Sequence, residues 1–190
     1  KEMGHHSRCV SGTLPTMLSS RLSTVELDRL GISGTLPGGF IAAMAAPQKL
    51  SLRRLALSGT LPGAELAVAG LRNLQALQLD GNSQLSGTIA GYLLDAMRGG
   101  LERFELDDTF VSDTLPQELG RMGELEHFVL DDTRVSGTLP ADVSGVRELE
   151  VLSMRSTHLS GTLPGFVHRL EQLQLRETRL SGTIPAALLN

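Results

Sequence analysis

The fold is decided by residues 125–140, which read LEHFVLDDTRVSGTLP. The apolar side chains of this stretch are Leu125, Phe128, Leu130, Val135 and Leu139. The central F-x-L step has a period of two, which is typical of a short strand with one buried face. The closing letters VSGTLP also occupy residues 10–15, so the stretch is one unit of a repeat.

The motif S-G-T-L-P, with substitutions, occurs eight times along the chain. Its serines are Ser11, Ser33, Ser58, Ser86, Ser112, Ser136, Ser160 and Ser181. Successive serines stand 21 to 28 residues apart, and repeats of that length indicate a solenoid. A single coil of this length cannot bury its own apolar edge, whereas stacked coils bury each other's. We therefore predict one solenoid domain over residues 1–190, with about eight coils whose strands pair in parallel.

The repeat resembles a leucine-rich repeat. The spacing L-x-x-L-x-L-x-x-T-x-L, with conservative replacements, begins at Leu101, Leu125 and Leu170. The ending is similar to the L-x-G-x-I-P hallmark of the plant-specific subclass, and to repeats of protist surface antigens such as those of trypanosomatids. The resemblance covers nearly the whole chain. It implies an α/β-type right-handed superhelix with short parallel strands on the concave face and irregular or short helical convex segments.

Composition excludes several classes of function. The chain has 17 basic and 21 acidic residues and no basic stripe, which argues against a nucleic-acid partner. No apolar run approaches 18 residues, so no transmembrane segment is predicted. Cys9 is the single cysteine, which excludes an intrachain disulfide. Metal-ligand spacings, phosphate loops and nucleophile–base sets are missing, so we predict a non-enzymatic protein with no catalytic residue, cofactor or metal.

The S-G-T-L-P motif predicts a corner that is repeated in every coil. Glycine bends the chain, leucine enters the core and proline opens the convex segment. We expect glycine and leucine to point inward, and serine, threonine and proline outward. Asp113 replaces glycine once, and Ala90 replaces proline once, which predicts a looser corner there. Stacked outward hydroxyls leave ice binding as a remote alternative function.

Polar residues after the strands are expected to satisfy backbone groups inside the coils. They are Asn82, Thr109, Thr133, Thr157 and Thr178. On the convex side, residues 63–74 have the composition of a helix, whereas residues 165–170 leave room for a bare turn.

Acidic and basic residues lie in separate zones of the predicted concave face. Its acidic zone consists of Asp80, Glu105, Asp107, Asp108, Asp131 and Asp132, and its flanking bases are Arg53, Arg54, Arg155 and Arg176. The candidate partner-binding residues are Glu105, Asp107, Asp108, Val129, Asp131, Asp132, Arg155 and Arg176. The zone is interpreted either as a solvated rim or as a docking patch for a basic protein partner, with a loose Ca²⁺ site as a remote alternative. His127 is expected to face Asp131.

Two functions stay open at this stage. The first is recognition or adhesion through the concave face, and the second is a structural scaffold subunit held within a larger assembly. Both ends are predicted to be uncapped, since no cap cysteines are present, so they could dock on neighbouring chains of a longer or larger structure. The resemblance favours an extracellular or cell-surface location, while a membrane-associated or organellar assembly stays open.

Overall fold

A computed structural model describes residues 11–19, 21–42, 44, 46–68, 71–140, 145–164, 170–183 and 185. Each full coil in this part of the chain contributes one strand to each of two parallel sheets. The predictions about the chain ends, Cys9 and the bare turn at 165–169 concern residues outside the described ones.

The seven-stranded sheet contains the strands that the x-L-x pattern predicts. Its members are β2 (Thr24–Glu26), β4 (Lys49–Ser51), β6 (Ala76–Gln78), β8 (Arg103–Glu105), β10 (His127–Val129), β12 (Val151–Ser153) and β14 (Gln172–Gln174). The strands pair in parallel and in chain order, with the central leucine, valine or phenylalanine of each aligned with the next. The backbone ladder continues past the strands, because Asp132 N–H donates to the Arg155 carbonyl at 2.9 Å.

The eight-stranded sheet is formed by the S-G-T motifs themselves. Its members are β1 (Ser11–Thr13), β3 (Gly31–Thr35), β5 (Ala56–Thr60), β7 (Gln84–Thr88), β9 (Phe110–Thr114), β11 (Arg134–Thr138), β13 (His158–Gly161) and β15 (Arg179–Leu180). The motif was expected to be a corner, and that expectation is wrong. Because apolar residues precede S-G-T and follow it, the segment lies across the edge of the core as a second strand, and the chain turns beyond it.

Short helices lie between the leucine of each motif and the next strand in several coils. They are α1 (Gly39–Ala42), α2 (Gly63–Val68), α3 (Gly91–Met97) and two 3₁₀ helices at Leu71–Asn73 and Gln117–Arg121. The helix predicted from residue 63 is thus confirmed in α2. Ala90 (φ −75°, ψ 146°) has nearly the backbone angles of Pro116 (φ −73°, ψ 149°), so the expected loosening is not seen there. No helix among the described residues is long and apolar enough to cross a bilayer.

The core is one continuous column of mostly aliphatic side chains between the two sheets and the helices. The five apolar residues of 125–140 are all buried, as predicted. The rings of Phe104 and Phe128, in successive coils, stack with their centroids 5.5 Å apart. Packing of this kind ties each coil to its neighbours rather than closing each coil on itself.

The glycine of the motif is needed for its backbone angle rather than for an inward position. Gly59 and Gly137 have φ of 82° and 77°, a region that side chains with a Cβ disfavour. Neither glycine is buried, so the expected inward orientation is wrong. A Cβ on Gly137 would lie 2.7 Å from the Thr114 Cγ2 of the preceding coil. The threonine methyl therefore packs in the space that glycine leaves open.

Serine hydroxyls connect the coils along the eight-stranded sheet. Ser86 Oγ donates to the Gly59 carbonyl at 2.9 Å, and Ser160 Oγ donates to the Gly137 carbonyl at 3.1 Å. The strands are offset by two residues per coil, so that Thr60 pairs with Ser86 rather than with Thr88. Threonines consequently do not stack in register, which removes the flat array on which ice binding was suggested.

The polar residues after the strands satisfy carbonyls, as the sequence predicts. Thr109, Thr133, Thr157 and Thr178 each donate to the carbonyl three residues earlier, at 2.6 to 2.9 Å. Asn82 does more, because its fully buried amide spans two coils. Its Nδ2 donates to the carbonyls of Leu52 and Leu79, and its Oδ1 accepts from Leu57 N–H.

Candidate interaction surface

The outer face of the seven-stranded sheet carries three aligned rows of side chains. Row one begins the strands and consists of Thr24, Lys49, Ala76, Arg103, His127, Val151 and Gln172. Row two ends the strands and consists of Glu26, Ser51, Gln78, Glu105, Val129, Ser153 and Gln174. Row three follows the next core residue and consists of Asp28, Arg53, Asp80, Asp107, Asp131, Arg155 and Arg176.

Asp131 is a structural carboxylate. It is buried, and its oxygens accept hydrogen bonds from Ser153 Oγ at 2.7 and 2.8 Å and from the Arg155 backbone N–H at 2.6 Å. The Arg155 guanidinium adds contacts at 2.7 and 2.8 Å. The hydrogen bond to Asp131 raises the pKa of Arg155. A carboxylate paired in this way holds coil to coil and is not available to a partner.

A second network neutralises the start of the acidic zone. Asp28 repeats the arrangement of Asp131, since it accepts from Ser51 Oγ at 2.7 Å and from Arg53 N–H at 2.9 Å. The Arg53 side chain extends to the buried Asp80, with Nε 2.6 Å from Oδ1, and approaches Glu105 at 3.7 Å. Glu105 is largely buried and accepts a hydrogen bond from Gln78 Nε2 at 2.7 Å. The solvated-rim interpretation is therefore wrong for Asp80, Glu105 and Asp131.

Asp108 and Asp132 occupy turns. Their φ values are 54° and 53°, in the left-handed region that aspartate tolerates better than most residues. The equivalent positions of other coils hold Arg29, Arg54, Ser156 and Glu177, all with positive φ. Both aspartates are exposed. Their side chains therefore project into solvent from these turns.

Asp107 lies near three acidic residues and within electrostatic reach of the Arg155 guanidinium. It is half-buried, and no ion pair is found for it among the described residues. Burial, reinforced by the neighbouring charges of Asp80, Glu105 and Asp108, raises the pKa of Asp107 to about 6. A carboxylate held in this environment would gain from a cation that approaches it from outside.

The structure thus divides the eight candidate residues into two groups. Glu105 and Asp131 are largely buried and hydrogen-bonded to neighbouring side chains. The other six are at least partly accessible: Asp107, Asp108, Val129, Asp132, Arg155 and Arg176. Arg176 contacts Glu177 at 3.1 Å, on its own coil. The sequence does not predict the bonds of Asp28 and Asp131 to a serine and an arginine of the next coil. The pattern D…S-x-R that provides them can be recognised only once the strand register is known.

His127 does not pair with Asp131, contrary to the expectation. Asp131 lies beyond the end of β10 and is occupied by Ser153 and Arg155, whereas His127 stands at the start of the strand. Its imidazole lies instead beside Glu126 and Glu150.

Two parallel sheets stacked coil by coil, with few helices, define a leucine-rich-repeat solenoid fold. No family model and no curated protein matches the sequence. Solved structures do. The chain is similar to a TDR receptor, at 27% identity and a TM-score of 0.79, over 94% of this chain and 30% of that one.

Two further structures show a similar relation over more of their own length. A pollen receptor kinase 3 is 27% identical, with a TM-score of 0.74, over 85% of this chain and 76% of that one. A protein of the BIR3–SERK2 complex from Arabidopsis thaliana is 27% identical, with a TM-score of 0.63, over 73% of this chain and 71% of that one. The chain spans about a third of the TDR receptor chain, so the likeness describes one repeat-containing part of that protein.

Proposed function

We propose that the chain is a non-enzymatic interaction module that binds a protein or peptide through the outer face of the seven-stranded sheet. The observation that carries this proposal is Asp107, a half-buried carboxylate without an ion pair among the described residues. The similar solved structures include a receptor and a member of a two-protein complex, which supports a binding role for this fold.

The partner that fits this face presents a basic side chain next to an apolar one. The basic group would contact Asp107, with the exposed Asp108 and Asp132 drawing it in by long-range attraction. Val129, the apolar member of row two, lies half-buried beside them and offers an apolar contact. The guanidinium groups of Arg155 and Arg176 bound the surface on the far side, where they pair with Asp131 and Glu177.

Selection of random short peptides on the full chain tests this proposal. Selected peptides should be rich in lysine or arginine next to an apolar residue. Binding to an Asp107→Asn/Asp108→Asn variant should fall about ten- to a hundredfold, because a hydrogen bond to a charged group contributes about 1.5–3 kcal/mol.

The matched control is Glu65→Gln/Glu118→Gln, which removes the same charge from the helical side of the coils. Equal loss in both variants would mean that only net charge matters, and equal retention would place the site elsewhere. Light scattering of the purified chain separates recognition from the scaffold alternative. A monomer of about 20.3 kDa supports a free binding face, whereas a defined multimer built through the coil ends contradicts it.

A further inference from the structure

A histidine and two glutamates from neighbouring coils converge where β10 and β12 begin. Each of Glu126, His127 and Glu150 offers one ligand atom, and these atoms lie within 4.8 Å of one another. One imidazole nitrogen and two carboxylate oxygens form a donor set that Zn²⁺ accepts in proteins. The cluster lies at the opposite end of the strands from the acidic zone and takes no part in the proposed partner site.

The backbone holds these three residues in a fixed relation. The N–H groups of Glu150 and Val151 both donate to the Glu126 carbonyl at 2.9 Å. The N–H groups of Glu126 and His127 donate in the same way to the Glu102 carbonyl, also at 2.9 Å. His127 lies on β10, and Glu126 and Glu150 directly precede β10 and β12 in the same backbone ladder. The backbone therefore keeps these three residues next to one another.

The two glutamates belong to a stack of like charges that is not neutralised locally. The residues that precede β4, β6, β8, β10, β12 and β14 are Gln48, Gln75, Glu102, Glu126, Glu150 and Glu171. Glu102 accepts a hydrogen bond from Gln75 Nε2 at 3.1 Å. Among the described residues, neither Glu126 nor Glu150 forms an ion pair with a basic side chain. Carboxylates on adjacent strands repel one another, and a cation between them would relieve that repulsion.

Row one shows why the site is found at this coil. Lys49 pairs with Glu26 of the preceding coil at 2.6 Å, and Arg103 approaches Glu105 of its own coil at 3.9 Å, so each of these bases in row one contacts an acid in row two. At β10 row two holds Val129, and Glu105 of the preceding coil is already contacted by Gln78, Arg53 and Arg103. The imidazole of His127 is left beside the glutamates instead.

We propose that Glu126, His127 and Glu150 bind a divalent transition-metal ion, with Zn²⁺ the best match, and that the ion links the coil of β10 to the coil of β12. Metal–ligand bonds of about 2.0–2.2 Å require the three atoms to approach one another to about 3.4 Å, so each must move by about 1 Å. A fourth position stays open for water or for a side chain of another molecule.

Calorimetric titration of the full chain with Zn²⁺, together with the visible absorption of Co²⁺, tests the site. Glu150→Gln and His127→Gln should each weaken binding about tenfold or more, since even the outer partners of a bound metal contribute that much. Zn²⁺ should also raise the melting temperature of the wild-type chain more than that of His127→Gln. The matched control is Glu171→Gln, which removes the same charge from the next position of the stack.

His5, His6 and Cys9 are also of types that bind zinc, and a second variant separates them from the proposed site. A chain in which His5, His6 and Cys9 are replaced by Gln, Gln and Ser must keep the binding that Glu150→Gln removes. Equal weakening by Glu150→Gln and Glu171→Gln would reduce the effect to diffuse attraction and overturn the proposal. Binding of Ca²⁺ as tight as that of Zn²⁺, or unchanged affinity in His127→Gln, would overturn it as well, because both outcomes exclude the imidazole.

Discussion

At the scale of single residues, neighbouring aspartates of one surface have different roles. Asp131 is hydrogen-bonded to a serine and an arginine of the next coil, and Asp132 lies in a turn. Asp107 has no ion pair among the described residues. The sequence predicts the acidic zone because charges of one sign recur at a repeated position. It does not predict which carboxylates are paired, because pairing depends on the side chain that the next coil places opposite.

Asp107 should make stability depend on pH. Its pKa in the folded chain is about 6 against an ordinary value of 3.8, so the folded state binds more protons than the unfolded state between about pH 4 and 6. Its contribution to stability therefore falls as the pH rises through that window. Asp107→Asn should raise the melting temperature at pH 7, and the gain should disappear toward pH 4.

Thermal melts across that range check this, with Asp132→Asn as the exposed counterpart. A gain in Asp107→Asn that is constant with pH, or that grows toward acid, would show that the raised pKa is not the cause.

The motif glycine allows an equally direct comparison. Gly137→Ala places a Cβ in a left-handed backbone and against the Thr114 methyl, and it should cost about 1–2 kcal/mol or more. Asp113 stands at the same position of the preceding coil with φ 82°, so Asp113→Gly should be neutral or stabilise by up to about 1 kcal/mol. Urea denaturation measures both. A stable Gly137→Ala variant would mean that the strand relaxes to negative φ.

At the scale of elements, the short strands of the seven-stranded sheet were predictable, because x-L-x alternation identifies them directly. The second sheet was not. S-G-T carries no apolar alternation of its own, and its strands are stabilised by the pairing of one coil with the next. Serine hydroxyls that bond to glycine carbonyls can be recognised only when both coils are in place.

Asn82 is the element-scale connection that substitution can measure. Asn82→Ala leaves the buried carbonyls of Leu52 and Leu79 without their side-chain donor, and should cost about 2–3 kcal/mol. Thr133→Val removes one hydrogen bond within a single coil, to the Leu130 carbonyl, and should cost about 1 kcal/mol. Equal losses, measured by urea denaturation, would show that the bonds from Asn82 to the preceding coil contribute nothing.

At the scale of the whole molecule, the coil count and the parallel stacking follow from the spacing of the repeats. The charge balance of the surface does not, because it is fixed by contacts between residues 20 to 30 positions apart. The sequence of a single coil therefore predicts the fold, whereas the charge of the surface depends on neighbouring coils.

Leu130→Asp tests how far coils depend on each other. Leu130 is fully buried, so the substitution places a charge in the apolar column without a partner. Hydrogen exchange should show lost protection in β8, β10 and β12, with the loss spreading to neighbouring coils. Thr138→Asp, on the exposed side of the eight-stranded sheet, is the control. An unshifted melt and unchanged exchange in Leu130→Asp would contradict the strand register.

The two-residue offset of the eight-stranded sheet has an evolutionary consequence. Since side chains alternate along a strand, an even shift keeps each inner residue inside, whereas an odd shift would turn the core outward. A whole coil can therefore be duplicated or lost in one genetic event without disturbing the faces of its neighbours. Insertion of a single codon within S-G-T would move every following side chain of that strand to the opposite face. Variation in coil length is accordingly tolerated in the helical segments, where α1, α2 and α3 differ in size, and the motif itself is copied almost letter for letter.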